Sequence, residues 1–130
     1  MSSDITDWTE LREFASVDLG GSFVVAWETE GESLLVELDL SLLPEHPFYE
    51  RPRPAEGACI RPAVIEFPFC SLVTESGDNK RQPVRDAIRN FVGGGIAGLR
   101  RTGDGQYELR GEFGVVDILA ERPLLRLKGH

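Results

Sequence analysis

The clearest pattern in the chain lies in residues 34–42. Leu34, Val36, Leu38, Leu40 and Leu42 alternate with Leu35, Glu37, Asp39 and Ser41. A period of two is that of a β-strand, whose successive side chains face opposite ways, so this strand has one dry and one wet face. Upstream, Phe23, Val25 and Trp27 alternate with Val24, Ala26 and Glu28, which predicts a strand apolar on nearly both faces. Glu30-Gly31-Glu32 reads as a turn, so the two strands form a hairpin. Gly20-Gly21 reads as a turn before the first of them. Residues 58–73 predict one or two strands, with Pro62 and Pro68 marking bulges or an edge. Residues 96–102 and 106–112 flank Gly103-Asp104-Gly105, a strong hairpin signal. Gly114 reads as a bulge before a strand over 115–121, and 124–127 as a short last strand.

Two segments carry a helical period instead. Trp8, Leu11 and Phe14 predict a short helix over 7–15, capped by Thr6 or Asp7. Pro83, Val84, Ile88 and Phe91 predict a second over 83–92, ended by Gly93 as a left-handed cap. The fold class is therefore mainly β, or β-rich α+β. About seven mostly antiparallel strands form a curved sheet, a sandwich or a partly open barrel, with one or two short helices. No repeat or composition shift divides the chain, so residues 1–130 read as a single domain. The Pro-rich stretch 44–54 reads as an extended loop between strands.

Charge changes the picture next. The net charge is −8, and it is uneven: thirteen of the 22 acids but only three of the 14 bases lie in residues 1–60. That stretch carries −10 and the rest of the chain +2. A surface of this sign neutralises phosphates poorly, so neither nucleic acid nor an anionic membrane is the expected partner. A basic protein partner is compatible with it. The N-terminus has no basic and no apolar segment, so no signal peptide is read there. The longest apolar run is five residues, Phe23 to Trp27, against about 20 for a membrane span. Cys59 and Cys70 fit neither a CxxC pair nor a disulfide scaffold; buried thiols in a reducing cytoplasm are expected.

The chemistry-bearing residues form no catalytic signature. Gly93-Gly94-Gly95-Ile96-Ala97-Gly98 matches GxGxxG in letters, but a dinucleotide site needs a strand before the glycines and a helix after them, and here the order is reversed. There is no GxSxG and no GxxxxGK[ST]. His46, Cys59 and Cys70 lack metal-ligand spacing, so neither a metal nor a cofactor is expected. Glu37 and Asp39 share the wet face of one strand, their Cβ atoms roughly 7 Å apart. On a concave face such a pair would raise a pKa or hold a cation. On a flat face it is solvated or meets a partner. His46, beside Tyr49 in the Pro-rich loop, and Arg61 are further binding candidates. Trp27 joins them if it lies at an exposed strand end. Arg61, Glu66, Arg110, Glu112 and Asp117 fall at polar strand positions, as in ordinary cross-strand charge pairing, and Arg100-Arg101 precede the hairpin turn at the surface.

Residues 14–18 (Phe-Ala-Ser-Val-Asp), 23–28 (Phe-Val-Val-Ala-Trp-Glu), the turn and the strand over 34–42 together resemble the opening of small bacterial β-rich families. Some of their members are immunity proteins of polymorphic toxin systems. The resemblance covers about 30 residues. Many members carry His-Asp where this chain has Val17-Asp18. The resemblance implies a compact β domain whose surface blocks a partner, and it transfers no catalytic residue. The resulting expectation is a non-enzymatic cytoplasmic binding protein with an acidic, partner-facing surface, immunity-like in role. The alternative is a small-ligand-binding barrel or sandwich with Glu37, Asp39, His46 and Arg61 around one polar concave face. A homodimer through an edge strand or through 124–127 is also expected.

Overall fold

The structure is a computed structural model and describes residues 5–51, 59–75, 88 and 91–128. Among the described residues, nine strands pair antiparallel throughout: β1 Thr6–Asp7, β2 Val17–Glu30, β3 Ser33–Leu42, β4 Cys59–Phe67, β5 Leu72–Glu75, β6 Gly94–Gly103, β7 Gln106–Gly111, β8 Gly114–Leu119 and β9 Leu124–Leu127. Their order across the sheet is β5-β8-β7-β6-β2-β3-β4-β9, with β1 beside β6, and the sheet is not closed into a barrel. The mostly antiparallel β architecture is therefore as the alternation predicts. The first expected helix is replaced by two 3₁₀ turns, Trp8–Glu10 and Arg12–Phe14. Asp7 caps the first by accepting from the Thr9 N–H. The expected helix over 83–92 lies largely outside the described residues.

β3 shows why the sheet holds. Leu34, Val36, Leu38 and Leu40 are almost wholly excluded from water, and Leu42 nearly so. The register sets Phe67, Ile65 and Ala63 of β4 against the first three, all buried. Leu99 of β6, Leu109 of β7 and Val116 and Ile118 of β8 belong to the same core. The Phe67 and Tyr107 rings, from β4 and β7, meet at 5.7 Å. The sheet thus curves so that its two halves share one interior.

The halves are joined on the hydrogen-bonded path by a short seam. Phe23 and Val24 of β2 pair with Gly95 and Gly94 of β6. Gly93 lies just before this seam, and a Cβ there would stand 2.4 Å from the Val24 carbonyl oxygen. Gly93 is therefore needed for close approach of backbones rather than as a left-handed cap; the positive φ, +144°, belongs to Gly94. Beyond the seam each half lends a strand to the other. β4 leads through Pro68 into β5, which pairs with β8. β8 leads into β9, which pairs with β4.

Several local readings are corrected. Gly20-Gly21 does not turn the chain: β2 runs through both, with a register break between Asp18 and Phe23. Ser22 fills that break. Its buried hydroxyl donates to the Asp18 carbonyl at 2.7 Å and accepts the Ser41 N–H at 2.9 Å, so neither polar group is left unpaired. A second irregularity, between Val24 and Ala26, explains why the sequence of β2 reads as apolar on nearly both faces. It flips the alternation, so Val24 and Trp27 both face the interior. Gly114, at φ +106°, closes the tight β7–β8 connection and is not a mid-strand bulge. Pro62 is tolerated because its carbonyl receives the Lys128 N–H at 2.9 Å, just past the end of β9. A residue's N–H and C=O point the same way in an antiparallel ladder, so its missing donor falls where pairing stops.

Candidate functional site

The acidic stretch supplies β2 and β3 to a wet face that β4 and β9 complete. The register places its residues in rows across the strands. Glu28, Leu35, Glu66 and Leu124 form one row; Ala26, Glu37, Val64 and Arg126 form the next; Phe23, Asp39 and Pro62 form a third. Across the strands, acids therefore alternate with apolar groups. The bases on this face are already engaged. Arg126 donates to Glu66 at 3.0 Å, Glu66 also accepts from Ser33 at 3.0 Å, and Lys128 pairs with Glu37. Glu28, Glu30, Glu32 and Asp39 are exposed. So are three large apolar groups: Phe23 (52%), Leu124 (51%) and, at the β2 irregularity, Val25 (58%). A wet strand face normally turns such groups inward, so their exposure beside unneutralised carboxylates marks this surface.

The sequence-predicted residues divide between two sides of the sheet. Glu37 is half-buried and Asp39 exposed, both on the wet face as the alternation predicts. Arg61 is not with them. It stands opposite Leu40, in step with the buried Cys59, Ala63, Ile65 and Phe67, and so takes the interior side at the end of the core. There its guanidinium donates to Glu50 at 2.9 Å and to the Ile60 carbonyl at 3.0 Å. His46 and Tyr49 lie in the loop after β3. The Tyr49 N–H donates to the His46 carbonyl at 3.0 Å, and the ring of Tyr49 packs on the core. His46 Nδ1 accepts the Phe48 N–H at 3.1 Å, and partial burial lowers the imidazole pKa. These contacts brace the loop. The structure therefore does not gather Glu37, Asp39, His46 and Arg61 around one concave face.

Trp27 is not at a strand end, since β2 continues to Glu30. Its ring packs edge-on against Phe91 and Phe113, with centroids at 5.0 and 5.4 Å. Its Nε1–H donates to the Val92 carbonyl at 2.8 Å, which anchors the segment entering β6. Cys59 and Cys70 are buried thiols. Among the described residues no group of three or more His, Cys, Asp or Glu is placed to hold a metal ion, and no helix is long and apolar enough to cross a membrane.

Sequence reasoning missed a groove on the outer surface of the other half. It has a volume of about 370 Å³ and lies between Asp7, Gly98, Arg100, Arg110, Gly111 and Gly114. Charges face one another across these strands: Arg100 stands opposite Glu108, and Glu108 opposite the like-charged Asp117. The Arg100 Nε–H donates to Glu108 at 2.8 Å. Partial burial, and secondarily Glu108, raises the Asp117 pKa. The concavity itself had no signal in the alternation, because it arises where side chains are missing.

Fold and surfaces together define an open, all-antiparallel β domain with one acidic-and-apolar face and one grooved face. No family model, no curated protein and no solved structure matches the chain.

Proposed function

We propose that this domain is a non-enzymatic binding protein of the cytoplasm that meets a basic protein partner with the wet face of β2, β3, β4 and β9. The observation that carries the reading is the exposure of Phe23, Val25 and Leu124 among Glu28, Glu30 and Asp39, on a face whose own bases are taken up by Glu37 and Glu66. Apolar anchors supply affinity when a partner desolvates them, and the surrounding carboxylates steer a basic surface and fix its orientation. The same hairpin carries the resemblance to immunity proteins, whose task is to cover a partner's surface, so an immunity-like role fits this reading. Two buried thiols suit a reducing compartment.

The test begins with affinity capture from the native cell and purification of the captured partner. Its affinity is then measured for the wild type and for the double variant Phe23→Ser, Asp39→Lys. The expected result is a partner with a basic surface whose affinity falls by about a hundredfold, or roughly 2.7 kcal/mol, in the variant. Equal affinity for both proteins would refute the assignment of this face.

A further inference from the structure

The groove on the outer surface of β6, β7 and β8 belongs to the half of the sheet that the partner-binding reading does not use. Three glycines open it, and two of them have structural reasons. A Cβ on Gly111 would stand 2.3 Å from the Gly95 carbonyl oxygen, and Gly114 has φ +106°. Gly98 has neither reason. Its φ is ordinary, and a Cβ there would meet nothing within 4 Å. The neighbouring register shift does not demand glycine at that φ. Glycine inside a strand costs roughly 0.5–1 kcal/mol, and such a residue often marks a place where something approaches the backbone closely. The bareness of Gly98 keeps the trough open and serves no internal contact.

The rim supplies donors. Glu108 Oε1 lies 2.8 Å from Arg100 Nε but 3.8 Å from Arg110 Nε, so it is hydrogen-bonded to Arg100 alone. The Arg110 guanidinium is half exposed and makes no hydrogen bond to a described residue. Arg100 uses only its Nε, leaving its two terminal nitrogens available. The charged residues lining the groove are Asp7, Arg100 and Arg110, and with Glu108 behind the two arginines the local balance is zero in a chain of net charge −8. A guanidinium fork matches the paired oxygens of a carboxylate or a phosphate. The volume is at the low end for small-molecule sites, which suits a metabolite-sized ligand.

We propose that this groove is a binding site for a small oxyanion-bearing molecule, its carboxylate or phosphate held by Arg110 and Arg100 and its body lying along Gly98. The test is a ¹H–¹⁵N NMR titration of the full chain at pH 7, with inorganic phosphate in one arm and succinate in the other. The expected result is saturable shifts at the amides of Gly98, Arg100, Arg110 and Val115 in at least one arm, with a Kd near or below about 1 mM. The responding arm identifies the anion class. Arg110→Gln is expected to weaken binding about tenfold. Gly98→Leu, which fills the trough, is expected to abolish it while keeping the wild-type dispersion of amide signals. Should Gly98→Leu fail to fold, the surface change Arg110→Gln decides alone. Shifts that do not saturate in either arm, or binding unchanged by Arg110→Gln, would overturn the proposal.

Discussion

Alanine at Gly93 and alanine at Gly98 should move stability in opposite directions, although the two glycines are five residues apart, one just before β6 and one within it. At Gly93 the new Cβ would lie 2.4 Å from the Val24 carbonyl oxygen and 3.4 Å from its carbon. Ordinary carbon–oxygen contact begins at about 3.3 Å, so the backbones must separate by about 0.9 Å. Neither side can yield freely. Val24 is paired with Leu38 and with Gly94, and the incoming segment is pinned by the Trp27 bond to Val92. Overpacking of this kind costs about 1–3 kcal/mol, of which the stiffer unfolded chain returns roughly 0.4–1. At Gly98 there is no collision, and only the gain of about 0.5–1 kcal/mol remains. The chain-stiffening gain is common to both, so the two variants should differ by the overpacking cost, about 1–3 kcal/mol. At ~2.1 cal/mol/K of unfolding entropy per residue, 130 residues convert each kcal/mol into about 4 °C. Thermal melts followed by circular dichroism should place Gly98→Ala slightly above the wild type and Gly93→Ala about 4–11 °C below Gly98→Ala. A Gly93→Ala variant that melts with or above Gly98→Ala would show that the seam is looser than the close approach requires.

Three further outcomes follow from the same structure. Leu38→Ala should cost about 2–5 kcal/mol in urea denaturation, because the side chain is wholly buried, whereas Leu124→Ala on the exposed face should change little. Trp27→Phe should cost about 0.5–1.5 kcal/mol for the lost bond to Val92, before any loss of packing against Phe91 and Phe113. Asp117→Asn should stabilise the protein at neutral pH. A carboxyl whose pKa is raised by folding binds protons more readily in the folded state, so its ionisation weakens the fold as pH climbs above the ordinary carboxylate range. Paired urea titrations at pH 7 and at about pH 3 should show that advantage disappear at the lower pH, where both states are protonated.

The sequence made β3 legible because the physics there is simple: one face buried, one face wet, and no glycine or proline to interrupt. β4 was nearly as legible. Cys59, Ala63, Ile65 and Phe67 are buried in step, and Arg61 belongs to that step, so counting parity alone would have taken it off the wet face. What misled was its charge, since an arginine at the end of a core can extend its guanidinium outward to Glu50. β2 was harder, because its two irregularities invert the alternation partway along. The seam between β2 and β6 rests on backbone approach at glycines, and the approach of two backbones leaves no hydrophobic period to read. For the same reason the groove was invisible. Gly98 stands out only once its neighbours' glycines have been explained by contact or by φ. The candidate surface was half legible. Glu37 and Asp39 marked the face, but the exposed apolar groups beside them depend on register and on the place where β2 breaks.

The exchange of strands between the halves bears on how the molecule comes apart. A chain divided after Glu75 would leave β5 and β1 on the first piece, with their partners β8 and β6 on the second. The second piece would hold β9, whose partner β4 is on the first. Each fragment would present bare ladder groups that only the other can satisfy. The two are therefore complementary tokens rather than subdomains: neither should hold its shape alone, and mixed together they should restore one another.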